Sequence, residues 1–223
     1  MTENERVSEL EAVIARYRRF AEEEAPGRSS LYERWAQSVW TTPELAAVLA
    51  RIPATHRQPP LVFAVSRLLG ASEAEDADWG AWVLAHADAL VSESAARSVQ
   101  TNEPGRCAAL LPALSQIEGP IALLEIGASA GLCLYPDRYS YRYLSDAGRT
   151  RALDPEGGPA PVVLSSAWTG PEAQLRLPTV VWRAGIDLHP LDARSDEDRR
   201  WLTGLVWPGE EGRRERIEAA LDI

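Results

Sequence analysis

Four residues in one short stretch have the types and spacing to hold a small molecule: Glu125, Gly127, Ser129 and Gly131, within IALLEIGASAGLCL at 121–134. Glu125 brings a carboxylate, the two glycines bracket a turn with little side-chain bulk, and Ser129 sets a hydroxyl at its centre. Such a turn can present backbone N–H groups to a ligand, and glycine allows the close approach. A second set precedes it by one helix: Gln100, Asn102, Glu103 and Arg106 in the polar turn QTNEPGR, placed to line the same cavity. The same turn also reads simply as a helix cap, with Thr101 or Asn102 as the cap residue. Farther on, Asp187 supplies an acid of the kind that hydrogen-bonds ribose hydroxyls, with Asp192 in reserve.

The elements that must position these groups follow from periodicity. Ile121, Leu123, Leu124 and Ile126 predict a buried strand, and the apolar run after Gly131 predicts the start of a helix. TVVWRAGID at 179–187 predicts a second, parallel strand with Asp187 at its carboxyl end. Between the two, YSYRYL at 139–144 alternates tyrosine with polar residues and 161–165 is branched and apolar, so both read as strands. They form a tyrosine-bearing hairpin inserted between the first helix and the second strand. Its tyrosines, Tyr139 among them, either close over an adenine or substrate or pack as an ordinary amphipathic hairpin. Ser195 to Asp198 begins a capped helix, and another runs from about 213 to 221.

The part before the glycines reads as helical throughout. Val7, Leu10, Ile14, Tyr17 and Ala21 give a stripe over 4–24, ended by Pro26-Gly27. A helix from about Ser30 groups Leu31, Trp35 and Val39, and Thr42-Pro43-Glu44 opens the next as cap, first-turn proline and first-turn acid. LVFAVSRLLG after Pro59-Pro60 is a central helix, and 79–99 is one more, with His86 as a hydrogen-bonded packing residue. The fold class is therefore α/β: a helical N-terminal region at 1–117 and a domain at 118–223 whose strand, glycine turn and second parallel strand follow a Rossmann-like order, with a β-hairpin insertion.

Composition narrows the function. A net charge of −10 opposes a broad basic surface for nucleic acid and suits small neutral or cationic ligands. All 23 basic residues are arginine, which excludes lysine Schiff-base and P-loop chemistry. Two cysteines make neither a disulfide framework nor a cysteine zinc site, and the three histidines lack ligand spacing, so no metal site is expected. With no apolar run of about 18 residues and no leader-like start, the sequence reads as a cytoplasmic protein with no membrane segment.

The acid followed by a glycine-rich turn resembles motif I of S-adenosylmethionine-dependent methyltransferases, with Ser129 in place of the middle glycine. QTNEPGRCAALLP, LLEIGASAGLCLYPDRYSYRY, GIDLHPLD and the Asp-rich helix leading to LVWP resemble the DUF2332 family from roughly Leu31 onward. This resemblance implies a Rossmann-type, methyltransferase-like fold, S-adenosylmethionine as cofactor, and a site drawn from the residues above with Asp137, Arg138 and Tyr139. Relatives continue well past the position of Ile223, so the chain reads as C-terminally truncated. A sheet stopping at its second parallel strand leaves an edge that favours a homo-oligomer. Two alternatives stay open. One is a non-catalytic module for a nucleotide-like ligand or partner; the other is a serine hydrolase using the G-x-S-x-G of GASAG with Asp187 and His189.

Overall fold

Pro26-Gly27, Thr42-Pro43 and Pro59-Pro60 cut the first part of the chain into short helices, and each break falls where the sequence places it. The computed structural model describes residues 3–100, 102–168 and 175–223; Thr101, one of the two expected caps, lies outside them. The chain forms two compact units, one of Met1–Val99 with Gly204–Glu211 and one of Gln100–Thr203 with Gly212–Ile223. The division falls at Gln100 rather than at residue 118, because the helix after the polar turn belongs with the strands.

The first unit is helical: α1 (Glu3–Arg19), continued by a π-helical turn at Phe20–Glu24, then α2 (Ser30–Thr41), α3 (Pro43–Ala50), α4 (Pro59–Leu68), α5 (Trp79–Ala85) and α6 (Ala87–Ala96). Ser29 caps α2 by accepting from the Tyr32 amide, and Pro43 and Pro59 open their helices where a missing N–H costs nothing. Leu61 to Ser66 of α4 are all buried, which makes it the central helix. Phe63 is its hub, with ring centroids 4.9–5.8 Å from Tyr17, Phe20, Tyr32, Trp35 and Trp79. The single helix expected over 79–99 is broken at His86. That residue leaves helical geometry, turns its Nδ1 to the Trp82 carbonyl and stacks on the Trp82 ring at 4.5 Å.

The second unit holds α7 (Arg106–Leu114), β1 (Pro120–Ile126), β2 (Ser140–Ser145), β3 (Thr150–Leu153), β4 (Val163–Trp168), β5 (Thr179–Ile186), α8 (Asp196–Gly204) and α9 (Arg213–Leu221). Strand β1 pairs in parallel with β5, from Pro120 beside Thr179 to Ile126 beside Ile186, with one irregularity after Ile121. The segments expected to form a hairpin, 139–144 and 161–165, instead pair in parallel as β2 and β4; the antiparallel partner of β2 is β3, in a stretch that reads as loop, because the chain turns back at Gly148, whose amide donates to the Ser145 carbonyl, and the sheet order is β3-β2-β4. The helix expected after the glycine turn is a single 3₁₀ turn at Leu132–Leu134. Pro136 accounts for the difference, since the residue before a proline is pushed out of helical geometry and only one turn fits before it.

The expectation of a buried first strand holds for one face only. Ile121 is buried, but Ala122, Leu124 and Ile126 share the opposite face with Trp182, Ala184 and Ile186 of β5. Leu124, Ile126, Trp182 and Ile186 on that face are 54–83% exposed. Parallel sheets are usually covered on both sides; among the described residues, this face has no cover.

Candidate functional site

The glycine turn is fixed by a small set of backbone and carboxylate contacts. Gly127 and Gly131 adopt positive φ, and Ser129, at φ 52°, is the only described residue other than glycine to do so. Ile186, the last residue of β5, accepts from the amides of Gly127 (2.7 Å) and Ala128 (3.2 Å). The Gly131 amide donates to the Ala128 carbonyl at 2.7 Å. Asp187 completes the arrangement: one carboxylate oxygen accepts from the Ser129 amide at 2.7 Å, the other from the His189 amide at 2.8 Å. These amides, first His189 and then Ser129, hold its carboxyl below the ordinary value. Four of the turn amides are thus already paired within the chain, and Asp187 clamps the ends of the two parallel strands together.

The polar turn does meet the glycine turn. Asn102, buried, donates its side-chain amide to Ser129 Oγ at 2.6 Å, and Gln100 donates to the His189 carbonyl at 2.9 Å. Asn102 is therefore a cross-link and not the cap of α7, whose cap position is held by Gly105. Glu103 orders that end instead: its Oε1 accepts from the Gly105 amide, and its carboxylate pairs with Arg213 at 2.8 Å and Arg216 at 3.3 Å. Arg106 is exposed at the start of α7 and acts on Glu125 through its charge.

Glu125 is the residue whose contacts are incomplete. It points from β1 to the covered face, and its Oε2 is buried with no hydrogen-bond partner among the described residues. Burial pushes its carboxyl above the ordinary value of 4.5, Arg106 pulls it down, and Asp187 adds to the rise. A carboxyl with a raised folded pKa favours the fold below its unfolded value and loses that contribution as the pH rises through the folded one. Glu125→Gln is therefore expected to raise Tm by roughly 2–4 °C near pH 7, about 1 kcal/mol or less because the group is partly exposed. The gain should fade as the pH is lowered towards 4, which thermal melts across that range would show. A gain that grew on acidification would contradict the assignment.

The remaining candidates hold the structure together. Asp137 makes a two-point ion pair with Arg183 at 3.0 Å, and Arg183 also donates to the Leu134 carbonyl and lies over Tyr135. Arg138 is exposed, 3.8 Å from Asp137. Tyr139 is no pocket residue: it is fully buried, and its hydroxyl donates to the Leu132 carbonyl. Tyr141 and Tyr143 are buried beside it, donating to the Pro136 and Ala108 carbonyls, so this face of β2 packs into the core. Asp192 is tied to Arg194, which lowers its carboxyl, and its own amide donates to Asp198. Ser129 Oγ has Asn102 as its partner, and Asp187 meets His189 through the backbone amide.

Sequence reasoning missed Cys107 and Cys133, which flank this cluster, and Arg183. Only the alternation along β5, which puts Arg183 on the same face as Gly185, could have signalled the latter. Clefts also occur elsewhere. One of about 710 Å³ in the helical unit is lined by Arg16, Arg19, Glu24, Arg57 and Gln58 among apolar residues, and another of about 280 Å³ lies between Tyr143, Arg149, Arg151 and Trp168. Apart from Tyr143 of the tyrosine run, none of the expected site residues lines either. Among the described residues no cluster of three potential metal ligands occurs, and no helix is long and apolar enough to cross a membrane.

Fold and cluster together define a mixed α/β protein in which a parallel strand pair carries a clamped glycine turn. The chain belongs to the DUF2332 family, described as an uncharacterized protein conserved in bacteria, whose profile matches residues 14–223. No curated protein and no solved structure matches the chain.

Proposed function

We propose that the carboxyl ends of β1 and β5 form the binding site of a methyltransferase-like protein for S-adenosylmethionine or a closely related adenosyl ligand. The observation that carries this reading is Glu125, whose buried Oε2 has no partner among the described residues, at the end of a parallel strand beside a glycine turn. Ligands of open α/β sheets bind outside the carboxyl ends of the strands. The fit to the cofactor is partial: Glu125 suits an ammonium or hydroxyl donor, whereas four turn amides are spent on Ile186, Ala128 and Asp187.

In this reading Glu125 takes the polar end of the ligand, and Arg106 offsets its charge. Asp187 acts first as the clamp that shapes the turn and then, through its remaining lone pairs, as an acceptor for ribose hydroxyls. When bound, S-adenosylmethionine supplies an electrophilic methyl group, and the chain contributes alignment of the ligand. The substrate is left unassigned, and no residue is assigned as general base. A module that binds without chemistry rests on the same contacts. The relay of a serine hydrolase does not, because Ser129 Oγ meets Asn102 and not a histidine.

Calorimetric titration with S-adenosylhomocysteine tests the site. The unaltered chain should bind in the micromolar range, Gly127→Val and Asp187→Ala should weaken binding by at least roughly tenfold, about 1.4 kcal/mol, and His189→Ala should change it little. Equal losses in Gly127→Val and His189→Ala, or no binding by a folded chain, would overturn the proposal.

A further inference from the structure

Cys107 lies in the first turn of α7, fully buried, and Cys133 in the middle of the 3₁₀ turn that follows Gly131, half-buried. The two thiols are near enough for each to shift the other's ionisation. Each also reaches a carbonyl of the opposite segment: Cys107 Sγ lies 3.7 Å from the Cys133 oxygen, and Cys133 Sγ lies 3.5 Å from the Glu103 oxygen. Two sulfurs brought together from residues 26 positions apart in the chain are an unusual pairing for a protein with only two cysteines.

Their proximity divides their chemistry. Interaction between the two pushes the Cys107 thiol up and the Cys133 thiol down. Burial and the carboxylates of Glu125 and Glu103 oppose ionisation of Cys133, while Arg106 favours it. The partly exposed sulfur is thus the one biased towards thiolate, the form that reacts, and the buried one is placed to follow it.

We propose that Cys107 and Cys133 are a modification site at which a hydroperoxide forms an intramolecular disulfide, with Cys133 reacting first and Cys107 resolving. In the first step the Cys133 thiolate attacks a peroxide oxygen. The O–O bond breaks, the sulfur is oxidised to a sulfenic acid, and hydroxide or an alkoxide leaves and takes a proton from water. In the second step Cys107 gives up its proton and attacks the Cys133 sulfur, the S–OH bond breaks, and water leaves. The peroxide is reduced by two electrons and the two thiols are oxidised by the same two. The product ties the first turn of α7 to the turn after Gly131 and gives up the contact between Cys133 and the Glu103 carbonyl.

The test treats the full chain with hydrogen peroxide, alkylates the remaining thiols, and reads intact mass and digest peptides. The expected result is loss of two hydrogens from the monomer and a single linked peptide joining Cys107 to Cys133. It should form roughly tenfold faster than in the urea-unfolded chain and open again with a reductant. In Cys107→Ser, Cys133 should stop at the sulfenic acid and be labelled by dimedone. A folded chain whose two cysteines both stay alkylatable, whose Cys133 passes to the sulfinic acid unlinked, or whose disulfide joins two chains would overturn the proposal.

Discussion

Gly185→Ala is expected to lower the stability of the chain by about 1–3 kcal/mol, roughly 2–10 °C in Tm, and to abolish the S-adenosylhomocysteine binding proposed for the glycine turn. A Cβ built on Gly185 falls 2.5 Å from the Cβ of Ala128 and 3.3 Å from Leu134 Cδ1. Neither neighbour is free to retreat. Ala128 is buried and tied by its amide to Ile186, the residue after Gly185, and Leu134 is buried in the 3₁₀ turn. Relief requires the turn to lift from β5, which breaks the amide contacts to Ile186 and the Asp187 clamp together. Gly157, whose added Cβ meets nothing within 4 Å, is the control, and Gly157→Ala should move stability by no more than about 0.5 kcal/mol. Chemical denaturation of both variants decides the matter; equal stabilities would mean that the close packing of turn on strand has no energetic weight.

Arg67→Met should cost more, about 3–5 kcal/mol, in the helical unit. The guanidinium of Arg67 is nearly buried and held through two of its nitrogens. Its Nε pairs with Glu73 at 2.8 Å, and Nη1 donates to the carbonyls of Gly204 and Val206 at 2.9 Å and to Tyr32 Oη at 3.3 Å. Burial in turn raises the Tyr32 phenol to about 12. Methionine fills the volume but leaves both carbonyls without a donor. These carbonyls hold the 204–211 segment, whose Trp207 packs 5.2 Å from Phe20 and 5.8 Å from Tyr32. Arg67→Lys should recover only part of the loss, because an ammonium cannot reproduce the fork. A melt of Arg67→Met within a degree of the unaltered chain would show that the segment is held by its aromatic packing alone.

Much of the fold could be read from spacing and chain breakers. Ser29, Pro43 and Pro59 announce their helices, and 213–221 is a helix over the expected span. The parallel pairing of 120–126 with 179–186 is equally legible, since both segments are branched, apolar and bounded by turn residues. What failed depends on contacts between distant residues or on a single breaker. Pro136 stops the helix after Gly131, a signal present in LCLYP and outweighed by the resemblance to a Rossmann motif. His86 breaks 79–99 through its bond to Trp82, which no periodicity encodes. The candidate site was located by its glycines and acids, and the contact between Asn102 and Ser129 joins the two turns singled out. Which groups remain available there was illegible: amides and Asp187 look free in a sequence, and are engaged once β5 lies beside β1.

The uncovered face of the β1–β5 pair changes how the molecule behaves as a colloid. At low ionic strength the net charge of −10 keeps chains apart, so collisions rarely bring two such faces within reach. Salt at physiological strength shortens the range of that repulsion to about 8 Å. The attraction between patches carrying Leu124, Ile126, Trp182 and Ile186 is unscreened, and sulfate-type salts strengthen it. Dispersal in solution is therefore set by a contest between a long-ranged charge on the whole chain and a short-ranged stickiness on one side of two strands, and added electrolyte shifts that contest in one direction only.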